Sequence, residues 1–130
     1  MRTYRVAALL FALLLVGLLA ACGGGAGPQP AEGTYPPEMV EAGRTLFGQT
    51  CFACHGPDAK GLPNLGKDLT TSAFVAERSD EELLAYVNEG RPADDPANTT
   101  GIAMPPKGGF AFLTDEDILK IIAFLRSIHE

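Results

Sequence analysis

Cys51-Phe52-Ala53-Cys54-His55 is the stretch on which the reading of this chain turns. Two thiols three residues apart, followed at once by an imidazole, have the spacing at which a c-type haem is attached. Thiols so separated can add to the two vinyl groups along one edge of a porphyrin. The adjacent His55 then reaches the iron from the near side. Other readings fit these five residues less well. A zinc site needs a second pair of ligands, and the rest of the chain offers only His129 and Cys22. Cys54 and His55 are also immediate neighbours, an awkward pair for one tetrahedral metal. A thioredoxin-type redox pair belongs in a strand–helix–strand context, and no convincing strand alternation is present. A disulfide between Cys51 and Cys54 would close a tight, strained ring.

An iron held by His55 has a sixth position, for which Met39, Met104, His129, a lysine and water are the candidates. Met39 falls in an apolar helical stripe that already accounts for it, and His129 is penultimate in the chain. Met104 stands in Gly101-Ile102-Ala103-Met104-Pro105-Pro106. This segment belongs to a Gly/Pro-rich stretch, Gly90 to Gly109, too long to be a plain connector. Pro105 pushes Met104 toward an extended backbone, and two prolines stiffen the loop where a ligand must be held. A thioether is a soft ligand, and His/Met ligation raises the reduction potential. The expected axial pair is therefore His55 and Met104.

Around this centre the patterning is helical. Met39, Val40, Gly43, Leu46 and Phe47 recur on one helical face, with Pro37 at a start where its missing N–H does no harm. Gly43 sits in the middle of that face. A glycine inside a helix costs about 1 kcal/mol against alanine, so it marks a place where another helix must come close. Ser79-Asp80-Glu81-Glu82 is a capping box; it opens a helix through Leu83, Leu84, Tyr86 and Val87 that stops at Gly90. A shorter helix near residues 72–77 precedes it. Thr114 caps a last helix whose stripe is Ile118, Ile121, Ile122, Leu125 and Ile128, widened by Phe124. The acids at both helix starts suit helix N-termini, worth about 0.3–1 kcal/mol, and need no binding role. The expectation is an all-α domain over residues 38–130, three to four helices around one covalently bound haem. A core this small is commonly stiffened by a cofactor, metal or disulfides.

The N-terminal third reads differently. Arg2 and Arg5 precede a run from Val6 to Ala21 with no charge, polar side chain or proline, the form of a secretory signal. Sixteen helical residues would span roughly 24 Å, short of a hydrocarbon core of roughly 30 Å. Leu19-Ala20-Ala21-Cys22 resembles the lipobox of bacterial lipoproteins. That resemblance implies cleavage after residue 21 and lipidation of Cys22, with the remaining chain outside the cytoplasm. Several acyl chains make a durable anchor, at about 0.8 kcal/mol per buried methylene. In residues 23–37, nine of fifteen are Gly or Pro. Such a segment cannot bury enough surface to order itself; as a coil it reaches about 20 Å, which would hold a domain near a membrane. The domain expectation is thus a signal peptide over 1–21, a lipidated Cys and linker over 22–37, and the haem domain over 38–130.

The chain has 130 residues, 46% hydrophobic, with a net charge of −6 and a pI near 4.8. That balance excludes the basic face a nucleic-acid binder requires. Removing residues 1–21 takes away two arginines and no acid. This leaves 8 basic against 16 acidic residues, a net charge of −8. The acidity points to a redox partner with a basic docking surface, with Asp94 and Asp95 in the Met104 loop as candidate contacts. The three cysteines are all used: Cys22 for lipid, Cys51 and Cys54 for haem.

Residues 38–130 resemble a class I cytochrome c of the bacterial monohaem kind. The resemblance rests on Cys51-x-x-Cys54-His55, on Gly43-x-x-x-Phe47 in the first helix, and on Ile121-Ile122-Ala123-Phe124-Leu125 in the last. It also rests on Met104-Pro105 and on Pro63-Asn64-Leu65. It implies that the Pro63 carbonyl orients the His55 ring. Here Gly61-Leu62-Pro63 replaces the family's usual Gly-Pro pair. The implied function is one-electron transfer in a respiratory or photosynthetic chain, with no substrate-binding position at the iron and so no enzymatic role. A fixed cytochrome subunit of a larger membrane oxidoreductase, such as an alternative complex III, is the other reading. A haem peroxidase or gas sensor would follow only if Met104 left the iron easily.

Overall fold

Pro37 begins helix α1, Pro37–Thr50, in the first turn, where a missing backbone N–H breaks no bond. The computed structural model describes residues 34–130. The expected signal peptide, Cys22 and the linker up to residue 33 lie outside the described residues. After a break at Cys51 come the single turn α2, Phe52–His55, a second single turn α3, Ala73–Ala76, and α4, Asp80–Glu89. A 3₁₀ turn over Pro106–Gly109 leads to α5, Asp115–Ile128. The described residues are thus helical without strands, apart from isolated bridges pairing Leu62 with Gly66 and Arg91 with Met104. Among the described residues five α-helices stand where three to four were expected. The extra count comes from the haem motif itself, whose residues wind into the separate turn α2 rather than extending α1. None of the described helices is long and apolar enough to cross a membrane.

Both longer helix starts form as the sequence dictates. Ser79 Oγ accepts from Glu82 N–H while Ser79 N–H donates to the Glu82 carboxylate. Thr114 and Asp117 make the same reciprocal pair at α5. The Thr114 bonds hold the Asp117 carboxyl below its ordinary range.

The core lies where α1 crosses α5. Phe47, Ile118, Ile122 and Phe124 are buried there, each such side chain worth about 1.5–3 kcal/mol in removed apolar surface. Phe47 and Phe124 meet with ring centroids 5.4 Å apart. Gly43 sits at the crossing, but its close neighbour is backbone rather than a side chain. A Cβ there would lie 1.8 Å from the Lys120 carbonyl oxygen and 3.1 Å from Ile121 N. Arg126 ties α5 to the rest: it donates to Asp80 Oδ1 at 3.2 Å, to the Val75 carbonyl at 2.5 Å and to the Arg78 carbonyl. Tyr35, expected in the linker, donates its hydroxyl to the other oxygen of Asp80. The domain therefore gathers in residues ahead of α1.

Candidate functional site

The Cys-x-x-Cys-His turn is held by the loop that follows it. Gly61 N–H donates to the His55 carbonyl at 2.7 Å, Leu62 N–H to the Cys54 carbonyl at 3.2 Å, and Leu69 N–H to the Ala59 carbonyl at 2.8 Å. Gly66 lies against the same turn. A Cβ on it would stand 2.2 Å from the Cys54 carbonyl oxygen. This packing sets the next residue, Lys67, beside the imidazole, and His55 Nδ1 lies 2.9 Å from the Lys67 carbonyl oxygen.

That bond corrects the expectation for Pro63. Pro63 is exposed at the tip of a turn closed by Leu65 N–H and Gly66 N–H on the Leu62 carbonyl, with Asn64 left-handed at φ 59°. The acceptor comes four residues later. The chain holds the same spacing twice, Pro63-Asn64-Leu65 and Lys67-Asp68-Leu69. Accepting a hydrogen bond needs only a carbonyl, so the proline was a misleading marker; the close approach of Gly66 selects the second copy.

On the facing side, Met104 is held through its backbone. Its N–H donates to the Arg91 carbonyl at 2.9 Å, and Arg91 N–H donates to the Met104 carbonyl at 2.7 Å. Gly90, the stop of α4, has φ 77°. A Cβ on it would lie 2.4 Å from the Met104 carbonyl oxygen and 2.8 Å from Pro106 N. Asn98 organises the rest of the loop. Its Nδ2 donates to the Pro92 and Ile102 carbonyls, and its Oδ1 accepts from Thr100 N–H, Thr100 Oγ1 and Gly101 N–H. Gly66, Lys67, Arg91 and Asn98 are site residues that motif reading did not find, though Gly-Lys and Gly-Arg directly after a loop and a helix were visible signals.

Between the two sides lies a cleft of about 650 Å³, within the roughly 300–1,000 Å³ of small-molecule sites. It brings together Cys51, Cys54, His55 and Met104 over a floor that includes Phe47, Leu83 and Ile122. Neither Met39 nor His129 lines it. His129 instead places Nε2 3.1 Å from the Ser72 carbonyl oxygen, and Glu130 N–H donates to the Thr70 carbonyl. The residues present fit a haem. Both thiols are free, the lining is largely apolar, and a buried arginine nitrogen, Arg91 Nε, has no partner among the described residues. Cys51 and Cys54 would hold such a group covalently, with His55 and Met104 toward its iron. Burial pushes the Cys51 thiol up, against a counter-pull from the Thr50 hydroxyl at 3.4 Å.

A small helical domain with this motif facing a methionine across one cleft defines the class of c-type haem proteins. The Cytochrome c family model matches residues 40–129, and the chain belongs to that family. Family membership implies a covalently bound c-type haem and marks the chain as an electron carrier rather than a catalytic enzyme. Over 52 residues, 39% of this chain and 18% of the relative, it is 36% identical to the cbb3-type cytochrome c oxidase subunit FixPc of Rhizobium leguminosarum bv. viciae. Over 57 residues, 43% of this chain and 20% of the relative, it is 39% identical to the cbb3-type cytochrome c oxidase subunit FixP of Bradyrhizobium sp. (strain ORS 278). The matched stretch thus spans about a fifth of these curated relatives. No solved structure matches the chain.

Proposed function

We propose that this chain is a membrane-tethered, one-electron carrier with one haem c, bound by Cys51 and Cys54 and ligated by His55 and Met104. The observation that carries the reading is the single cleft with the Cys-x-x-Cys-His turn on one side and Met104 on the other. When bound, the haem supplies an iron(III)/iron(II) couple. With His55 and Met104 both holding the iron, no position on it would be open to substrate, so the protein would pass an electron and not transform a molecule. His55 is held in orientation by the Lys67 carbonyl, and Met104 by its bridge to Arg91. The tether is lipid on Cys22 in the cell membrane, with the domain facing the periplasm or the cell exterior, and the partner presents a basic surface to this acidic chain.

The test is optical. Oxidised protein should show the weak far-red charge-transfer band of sulfur on iron(III), and reduced protein should have little affinity for carbon monoxide. Met104→Ala should abolish the band, open the iron to carbon monoxide and lower the potential, while the haem stays attached. An unchanged spectrum and potential in Met104→Ala would place another ligand on the iron. Avid carbon monoxide binding by the unaltered protein would favour a sensor or peroxidase.

A second reading is a fixed subunit of a larger membrane oxidoreductase, and the similarity to cbb3-type oxidase subunits favours it. Gentle detergent extraction followed by sizing separates the two: a carrier runs alone, a subunit with large partners. Cys22→Ser should release soluble haem protein or leave the signal uncut. A native chain that starts elsewhere and carries no acyl mass would remove the anchor.

A further inference from the structure

Phe112 is explained neither by the core nor by the cleft. Among the described residues four large apolar side chains are exposed: Phe52, Leu62, Ile102 and Phe112. Phe52 stands inside the Cys-x-x-Cys-His turn, Leu62 in the loop that holds it, and Ile102 lines the cleft. Phe112 is the most exposed, at 67%, and does not line the cleft. It sits in a turn closed by Leu113 N–H on the Phe110 carbonyl at 3.0 Å, a place where small or polar residues are the rule.

The segment is firmly built. Lys107, Gly108 and Gly109 take left-handed backbone, at φ 54°, 64° and 88°, and reverse the chain. Phe110 N–H then donates to the Lys107 carbonyl at 3.1 Å, and Lys107 Nζ reaches across to the Leu113 carbonyl at 2.7 Å. Leu113 is drawn into the core and Phe112 is left outside, its ring edge-on to Phe110 with centroids 5.7 Å apart. Pro105 lies alongside, with Cγ 3.6 Å from where a Gly109 Cβ would stand. Pro106 and Ala111 are exposed as well. Single exposed apolar residues are ordinary. An aromatic pair joined to proline on a hydrogen-bonded loop is a patch, and patches mark interaction sites. An aromatic anchor already held in place leaves little to order on binding.

The surrounding charge decides what can cover it. Asn88 Nδ2 donates to Asp115 Oδ1 at 3.0 Å, which sets the end of α4 beside the start of α5. Glu89, Asp115, Glu116 and Asp117 gather there with Lys107 and Lys120, four acids against two bases, a net −2. Lys107 is turned inward, and Lys120 is engaged with Glu116 and Asp117. The acids at the start of α5 are accounted for by the helix, so they do not make the site; they select its occupant. A second copy would bring the same acids together, and an anionic bilayer attracts cations rather than acids. A protein surface with lysines and arginines around an apolar pocket is complementary.

We propose that Phe110 and Phe112 are the anchor by which this chain grips its redox partner, a protein that presents an apolar pocket with a basic rim. The proposal rests on the electron-carrier reading above and adds the surface that meets the partner. Because that surface lies outside the cleft, holding the partner and passing the electron fall to different residues.

The experiment uses the full-length, haem-loaded chain in its native membranes. With photoreactive p-benzoylphenylalanine in place of Phe112, irradiation should cross-link the chain to one redox protein, at a peptide bordered by lysine or arginine. The same label in place of Glu130 should not. Glu130 lies beyond the far end of α5, a helix of 14 residues or about 21 Å. Phe112→Ser should slow electron exchange between the haem and the membranes about tenfold, the effect of losing one aromatic anchor. It should leave the potential and the far-red band unchanged, as Glu130→Gln should leave the rate. Glu89→Gln combined with Glu116→Gln should flatten the fall of that rate with salt. Cross-links from position 112 only to a second copy, only to lipid, to nothing, or equally from position 130 overturn the proposal. So does an unaltered rate in Phe112→Ser. A chain without haem would remove the carrier reading, and the cross-link would still decide whether this surface is the anchor.

Discussion

The two sides of the cleft are built by different means. Residues 51–69 hold His55 with a dense set of backbone bonds close in sequence, ending in the Lys67 carbonyl. Residues 90–109 hold Met104 with one two-bond bridge to Arg91 and close the surrounding loop largely through side chains, Asn98 foremost, with Arg91, Asp95 and Thr100. The two arms touch where Lys67 Nζ donates to Thr99 Oγ1. Each relies on a glycine pressed against the backbone of the residue that does the chemistry, Gly66 on Cys54 and Gly90 on Met104. The difference teaches which side should yield first. An arm of many backbone bonds fails as a unit, whereas an arm closed mainly by one backbone bridge and by side chains can let its ligand go while the domain survives.

The strongest way to break this contrast is to add a methyl group to each glycine. Gly66→Ala puts a carbon 2.2 Å from the Cys54 carbonyl oxygen. Backbone cannot move aside as a side chain can, and overpacking costs about 1–3 kcal/mol or more. The expected outcome is a steep loss of covalently attached haem, read as haem per chain by mass and absorbance. Gly90→Ala adds both a clash at 2.4 Å and a φ of 77°, a backbone region that costs of order 1–3 kcal/mol outside glycine. Here the haem should stay attached, and the far-red band should weaken or vanish. If Gly90→Ala loses haem as thoroughly as Gly66→Ala, the two arms are one cooperative unit.

Asn98→Ala sharpens the same comparison at lower cost. It removes bonds to Pro92, Ile102, Thr100 and Gly101, at a net loss of about 1–2 kcal/mol. Carbon monoxide binding to reduced protein should rise, because the loop that presents Met104 opens more often. His55 should be unaffected. Unchanged carbon monoxide affinity would show that the Arg91 bridge alone holds Met104.

Much of this was legible in the sequence because it is written locally. The capping boxes at Ser79 and Thr114, the stripes of α1 and α5 and the Cys51–His55 motif each depend on residues within a few positions of one another. Gly43 was legible as a crossing, but the group it meets was not: a glycine marks a close approach without naming the atoms, and the contact is with backbone, the Lys120 carbonyl and Ile121 N. The carbonyl facing His55 was misplaced for a related reason. Every residue has a carbonyl, so no side chain identifies the one that a loop will present, and Pro63 drew attention away from Lys67. The Gly90-Arg91 pair was visible, but the place of Arg91 in the cleft lining was not, because it depends on how residues 90–104 fold back, through a bridge spanning thirteen positions.

The smallest expected effect lies at the root of the distal arm. Asp80 opens α4, and α4 ends at Glu89, capped by Gly90 just ahead of Arg91. Asp80 is clamped by Arg126 and by the Tyr35 hydroxyl. Burial, reinforced by the hydrogen bond to Asp80 and its negative charge, pushes the Tyr35 hydroxyl up to about 12 from an ordinary 10.0. A folded-state value above the unfolded one means that the neutral phenol is favoured by folding. Its contribution is fully present below pH 10.0 and is lost as pH rises through about 12. Denaturant midpoints measured across that window should fall for the unaltered protein and fall less for Tyr35→Phe, which has no proton to lose there. At neutral pH Tyr35→Phe should be slightly less stable, and its far-red band should be intact, since the clamp on Asp80 keeps Arg126. Parallel alkaline curves for the two proteins would mean that Tyr35 does not hold the start of α4. The distal arm would then be anchored through Arg126 alone.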